Sequence, residues 1–127
     1  MISIAIVDDE QMYLDKEKRI TEEYFRRKGQ ECRIELFQDA EWLLCELEEK
    51  KFDIYVLDVE MPGQKNGLEL AREIRQSEPE ALILLLTSHV KYAIEGYKVR
   101  ALRYVPKMRM EETLPEALED AYRLAKE

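Results

Sequence analysis

The five residues Leu82-Ile83-Leu84-Leu85-Leu86 are all apolar, so neither alternate face of this run is wet. A strand of this kind must be covered on both sides, which is the condition of a central strand in a parallel sheet with helices above and below. Two other short runs, Ile2 to Val7 and Asp53 to Leu57, read as further buried strands. The first is followed by Asp8, Asp9 and Glu10, and the second by Asp58. In a parallel α/β sheet the C-terminal strand ends meet at one rim, where such sheets bind ligands. Carboxylates converging on that rim are costly unless a positive partner sits among them, and a hard divalent cation such as Mg²⁺ is the best fit.

Helical spacing fills the intervals between strands. Gln11 to about Lys28 predicts a strongly charged helix with Tyr13, Ile20 and Tyr24 on one face, interrupted by Lys16 and Glu17 and stopped by Gly29. Cys32 to Phe37 alternates like an edge strand with one wet face. Asp39 can cap a helix whose buried stripe is Ala40, Leu43, Leu44 and Leu47. Met61-Pro62-Gly63 turns the chain, and Asn66 with Glu69 makes a capping-box pattern ahead of Leu70, Ala71 and Ile74. Val90, Ala93, Ile94 and Tyr97 have helical spacing, weakened by Gly96, and Leu102 to Val105 is a short fifth strand. The last helix is expected to begin near Thr113, with Glu116 as its reciprocal cap and Pro115 in its first turn. Leu114, Ala117, Leu118, Ala121 and Leu124 form its apolar face. Five strands interleaved with five helices describe a doubly wound α/β sandwich.

The 127 residues suit one domain, and 46% apolar content is enough for a core. No apolar run approaches the ~20 residues that cross a bilayer, and no basic segment precedes a long apolar stretch as in a signal peptide. Cytoplasmic residence is the expectation. The net charge of −8 argues against gripping a phosphate backbone. Cys32 and Cys45 are expected as buried free thiols, and a single His with two unclustered Cys does not suit zinc.

Asp58 is the candidate nucleophile toward phosphorus. Read alone, it is equally an Asp closing a turn. A second acidic strand end at Asp8-Asp9 favours the chemical reading, with a cation held between Asp9 and Asp58. Thr87 and Ser88 end the fourth strand. Taken singly they read as a helix cap, but a hydroxyl there can also donate to a phosphoryl oxygen. Lys107, after the fifth strand, would ordinarily be a solvated ammonium. Together the strand ends supply acid, acid, hydroxyl and amine, the set that phosphoryl transfer needs. His89, the lone His, reads as an exposed helix-start residue before it reads as a base. Trp42 reads as a packing residue.

The sequence resembles the receiver domain of two-component response regulators over essentially its whole length. The residues that carry the resemblance are Ile6-Val7-Asp8-Asp9-Glu10, Val56 to Gly63, Asn66 to Leu70, Leu86-Thr87-Ser88 and Tyr104-Val105-Pro106-Lys107. It implies a flavodoxin-like (βα)5 sandwich with a five-stranded parallel sheet of order 2-1-3-4-5. It implies that Asp58 accepts a phosphoryl group from a phosphohistidine on a sensor histidine kinase. Asp8, Asp9, Asp58 and the backbone carbonyl of Glu60 would hold Mg²⁺. Thr87 and Lys107 would contact the phosphoryl oxygens, and Tyr104 would report the state of Thr87. The stretch from Ser88 to Tyr104 resembles the branch linked to a LytTR DNA-binding domain. Residues 1–127 are therefore expected to be a receiver domain without an effector domain in this chain, cut from a longer transcription regulator in the favoured case and a natural stand-alone receiver in the alternative.

Such a domain is a phosphoacceptor that assists its own phosphorylation and dephosphorylation, not a turnover enzyme. The phosphorylated form is expected to pair with itself through the surface of the fourth helix, fifth strand and fifth helix, with no nucleic acid or membrane contact. Two departures stand out. Met108 follows Lys107 where the family usually has Pro, so a trans Lys107–Met108 bond is expected. The loop Gly63-Gln64-Lys65-Asn66-Gly67 looks long and is expected to bulge outward.

Three competing readings are open to test. A haloacid-dehalogenase-type Mg²⁺ phosphohydrolase would want a second Asp where Glu60 stands. An FMN-binding flavodoxin would want a Ser/Thr-rich loop where Asp8-Asp9-Glu10 would repel phosphate. A phosphorylation-independent adaptor would keep only the shape.

Overall fold

The structure is a computed structural model that describes residues 1–63, 65–89 and 91–127. Strands β1 (Ile2–Val7), β2 (Cys32–Phe37), β3 (Ile54–Asp58), β4 (Leu82–Thr87) and β5 (Arg103–Pro106) alternate with helices α1 (Gln11–Lys28), α2 (Ala40–Glu46), α3 (Gly67–Ser77), α4 (Tyr92–Lys98) and α5 (Met110–Ala125). The sheet order is β2-β1-β3-β4-β5, and every neighbouring pair is parallel. This is the doubly wound sandwich and the strand order expected.

The pleat divides the core in two. Ile4, Ile6, Val56, Leu84 and Leu86 face α1 and α5, meeting Leu14, Phe25, Leu114 and Leu118. Ala5, Val7, Leu57, Ile83 and Leu85 face the other side, meeting Leu43 of α2 and Leu70 and Ile74 of α3. The unbroken apolar run of β4 exists because each of its faces lies in one of these cores. β2 is an edge, and its central residues are partly exposed as its alternation predicts.

Local signals hold at several ends. Gly29 takes the left-handed conformation that closes α1, with φ of 68°. Asp39 accepts from the Trp42 amide at 2.7 Å. Asn66 and Glu69 form the full capping box.

Several expectations fail. α5 starts at Met110, directly after a 3-10 turn over Lys107–Arg109, so Thr113 is inside the helix and donates to Arg109 O at 2.8 Å. Glu116 accordingly points to Arg103, 3.6 Å away, and is no cap; Pro115 lies beyond the first turn. Ile94 and Tyr97 are 69% and 84% exposed, because α4 meets the sheet through Gly96 instead. A Cβ on Gly96 would come within 3.0 Å of Leu85 Cδ1. Leu124 is exposed at the end of α5. Cys45 is exposed and Cys32 half-buried; both are free thiols as expected, but Cys45 is not in the core. Trp42 packs edge-on against Phe37 at 5.9 Å, yet much of it faces solvent. Val90, and Gln64 with the expected bulge of its loop, lie outside the described residues.

Candidate functional site

The C-terminal ends of four strands converge on one rim. Asp8 follows β1, Asp58 ends β3, Thr87 ends β4 and Lys107 follows β5. All four are buried, while Asp9 is half-buried. The ladder continues past the strands: Asp8 N donates to Phe37 O at 3.1 Å and Val59 N to Leu86 O at 2.9 Å. These bonds fix the backbone on which the two carboxyls stand. Asp8 Oδ1 also accepts from the Glu10 amide at 3.0 Å, which orients Asp8 at the entrance to α1.

Gly67 explains how close α3 comes to Asp58. A Cβ there would sit 2.3 Å from the Asp58 carbonyl oxygen and 2.8 Å from its carbon. Only glycine lets the start of α3 press against the end of β3 this closely. The Asn66 cap then holds that start in place through the amides of Leu68 and Glu69, at 2.9 and 3.0 Å.

Asp8, Asp9 and Asp58 each offer an oxygen, and these three atoms lie within 4.8 Å of one another. The Lys107 ammonium lies 2.9 Å from Asp8 Oδ2 and 3.0 Å from Asp58 Oδ1. Beyond that ammonium, Asp8 Oδ2 and Asp58 Oδ1 have no hydrogen-bond partner among the described residues, and the buried Asp58 Oδ2 has none at all. Orphaned buried carboxylate oxygens are rare because desolvating them costs several kcal/mol, on the order of 1–3 per group and more when charged. A hard cation bound between them would satisfy all three, so the donor set suits Mg²⁺.

The electrostatics agree with this geometry. Burial, and next the charge of Asp8, push the Asp58 carboxyl up to about 7 despite the opposing pull of Lys107. Burial alone would lower the Lys107 ammonium, but its contact with Asp8 and the charges of Asp58 and Asp8 outweigh that and raise it, so it stays charged.

Thr87 is in place but engaged elsewhere. Its hydroxyl donates to Glu60 Oε1, which also accepts from the Ser88 amide at 2.8 Å. The His89 amide in turn donates to Thr87 Oγ1 at 3.1 Å. The His89 ring is exposed, with Nε2 3.5 Å from Glu60 Oε2, and its carbonyl accepts from Tyr92 N at the start of α4. It is therefore the helix-start residue expected. Tyr104 is half-buried, and its hydroxyl is raised by burial and then by the charge of Glu60. The Glu60 side chain thus has a role that sequence reasoning, which used only its carbonyl, did not find. Among the described residues every peptide bond is trans, including Lys107–Met108, and Lys107 still reaches both carboxylates.

Two more residues were missed, both on the inner face of α1. The Lys107 Nζ lies 4.0 Å from the centre of the Tyr13 ring. Glu17, one turn further on, is 1% exposed, and burial followed by the charge of Asp8 pushes its carboxyl up to about 10. It is neutral at pH 7 beside the acidic cluster. The available signal was an acid interrupting an apolar helical face that looks toward acidic strand ends.

A family profile described as response regulator receiver domain matches residues 4–119. The sensory transduction protein LytT of Bacillus subtilis is 27% identical over 118 residues, covering 93% of this chain and 47% of that protein. The positive alginate biosynthesis regulatory protein of Pseudomonas aeruginosa is 30% identical over 122 residues, covering 96% of this chain and 48% of that protein. The chain thus spans about half the length of these two relatives. Among solved structures, the response regulator protein TrrA of Thermotoga maritima in complex with Mg²⁺ and BeF superposes with a TM-score of 0.75 at 31% identity, covering 95% of this chain and 99% of that one. The response regulatory domain of mrkE from Klebsiella pneumoniae gives a TM-score of 0.85 at 22% identity over 98% of each chain, a likeness of fold. An acidic rim, a parallel 2-1-3-4-5 sheet and a profile match over nearly the whole chain agree, and the chain belongs to the response regulator receiver domains.

Proposed function

We propose that this chain is a phosphorylation-dependent signalling switch in which Asp58 is the phosphoacceptor. It is the regulatory half of a LytTR-type transcription regulator and acts in the cytoplasm. The observation that carries the reading is the Asp58 carboxyl, buried, with Lys107 3.0 Å from Oδ1, no partner at Oδ2 among the described residues, and Asp8 and Asp9 grouped beside it. No helix among the described residues is long and apolar enough to cross a membrane.

Asp8, Asp9, Asp58 and the backbone carbonyl of Glu60 would hold Mg²⁺. When bound, the ion neutralises the carboxylates and the incoming phosphoryl oxygens. An Asp58 oxygen attacks phosphorus as the P–N bond of a kinase phosphohistidine breaks. The leaving imidazole nitrogen keeps the bond's electron pair and takes up a proton. Lys107 supplies a fixed positive charge beside Asp58. Thr87 leaves Glu60 and donates its hydroxyl to a phosphoryl oxygen, and Tyr104 moves into the space vacated. Attack by water on phosphorus later returns inorganic phosphate and the free carboxylate. The changed α4, β5 and α5 surface then pairs with a second copy.

Mass spectrometry after incubation with acetyl phosphate and Mg²⁺ tests the core of this reading. The wild type should gain one phosphoryl group and Asp58→Asn none. Equal labelling of the two, or labelling of neither, would sink it.

A further inference from the structure

Lys107 is poorly held by its own stretch of chain. β5 is a four-residue edge strand, and Met108, next to Lys107, is 90% exposed. A lysine stem has several rotatable bonds, so the ammonium must be fixed at its tip. Three groups surround that tip: Asp8 Oδ2 at 2.9 Å, Asp58 Oδ1 at 3.0 Å and the Tyr13 ring centre at 4.0 Å.

The first two are changeable partners. Under the proposed function, the same carboxylates hold Mg²⁺, and Asp58 surrenders its carboxylate charge when the acyl phosphate forms. The Tyr13 ring is neutral and takes no part in either event. It is also well anchored. Tyr13 lies in the first turn of α1, its amide donates to Glu10 O at 3.1 Å, and its ring packs against the core cluster containing Ile4, Leu14 and Val105. A cation over an aromatic face is attracted by the ring quadrupole, most strongly when both are desolvated. Lys107 is 5% exposed and Tyr13 half-buried, so the contact lies between an exposed pair and a fully desolvated one.

We propose that Tyr13 is a positioning residue: its ring holds the Lys107 ammonium over the acceptor site through a cation–π contact that persists when Asp8 and Asp58 change partners. This rests on Asp58 being the phosphoacceptor. It assigns to α1 a direct part in receiving the phosphoryl group, through a side chain that touches the lysine and not the phosphate.

The test uses the 127-residue chain with Tyr13→Phe and Tyr13→Leu. Phe keeps the ring and Leu keeps only the apolar bulk. Two readouts are taken by calorimetry: binding of Mg²⁺ alone, and binding of beryllofluoride at saturating Mg²⁺. The initial rate of labelling by acetyl phosphate is the third. Tyr13→Leu should weaken beryllofluoride and slow labelling by about tenfold, while Mg²⁺ binds no worse than in wild type. Tyr13→Phe should stay within about twofold of wild type in both. In a Lys107→Met background, Tyr13→Leu should add nothing, because the residue it acts through is gone.

A Leu variant that matches wild type overturns the inference. So does a Phe variant as impaired as Leu, or a full further loss in the Lys107→Met background. Should Tyr13→Leu not fold, Tyr13→Met is read against the same criteria. A wild type that binds Mg²⁺ but takes up neither beryllofluoride nor phosphoryl group is a different result. It removes the phosphoacceptor reading itself and Tyr13's role with it.

Discussion

The Thr87 hydroxyl donates to the carboxylate of Glu60, two residues beyond the proposed acceptor Asp58. Glu60 also takes the Ser88 amide. An internal anion therefore occupies the donors that a phosphoryl group would need. Hydrogen bonds to charged acceptors are worth roughly 1.5–3 kcal/mol, less at a part-exposed site. Glu60→Ala frees both donors and leaves the backbone carbonyl in place. It should tighten beryllofluoride binding about fivefold or more, with Glu60→Gln intermediate. Calorimetric titration at saturating Mg²⁺ measures this, and weaker binding in Glu60→Ala would contradict it.

The raised Asp58 carboxyl makes stability depend on pH in a defined direction. Its folded value of about 7 lies above the unfolded value near 4, so the folded state holds this proton more tightly. The stability it contributes is complete below about pH 4 and is lost as pH rises through about 7. The ion-free melting temperature should fall from pH 5 to pH 8, and Asp58→Asn should flatten that fall. Millimolar Mg²⁺ should restore stability more at pH 8 than at pH 5, where it must displace a proton. Scanning calorimetry at the two pH values decides the matter. A slope unchanged in Asp58→Asn would refute the assignment.

Glu17 extends the same logic to alkaline conditions. Its carboxyl, raised to about 10 by burial and then by Asp8, contributes stability that is complete below the ordinary carboxylate range, declines as pH rises above that range and is gone once pH passes about 10. Glu17→Gln keeps the shape of the neutral acid. It should raise urea stability at pH 7 and flatten the fall in stability between pH 5 and pH 10. A large loss at pH 7 would show that the carboxyl is ionised there.

Gly67→Ala should be costly although the position begins a helix, where alanine is ordinarily favourable. The added carbon would lie 2.3 Å from the Asp58 carbonyl oxygen, which is main chain and cannot rotate aside. Overpacking of this kind costs about 1–3 kcal/mol. Urea unfolding should show that loss, together with slower labelling of Asp58 by acetyl phosphate. A variant as stable as wild type would mean that α3 can retreat freely.

Ile94 and Tyr97 supply the apolar surface that α4 presents to solvent. If the phosphorylated form pairs through α4, β5 and α5, then Tyr97→Glu should block the pairing while leaving Asp58 labelling intact. Sedimentation with and without beryllofluoride and Mg²⁺ would show a single, ligand-independent mass for the variant. A dimer that persists in Tyr97→Glu would place the interface elsewhere.

Much of this fold was legible because burial acts on the strands at every second residue. Leu82 to Leu86 had to be central, and the alternation of Cys32 to Phe37 had to be an edge. Asp8, Asp9, Asp58 and Lys107 were legible for a related reason, since strand ends of a parallel sheet share a rim. Short helices were harder. The helical spacing of Ala93, Ile94 and Tyr97 marked α4 but not the side it buries, which is that of Gly96 against Leu85. Thr113 had the composition of a cap, yet the 3-10 turn after Lys107 had already started the helix at Met110. Tyr13 and Glu17 escaped because their contacts are with residues far away in sequence, and an acid on an apolar face reads locally as noise.

α4 adheres to the sheet through a residue that has no side chain. Its seven residues include a single buried one, Gly96, so little apolar area fastens it to β4. Elements with so few interior contacts open and shift at small energetic expense. A methyl group at position 96 would press on the tip of the Leu85 side chain, so the closeness of this lightly fastened helix to the sheet depends on the smallest residue in it.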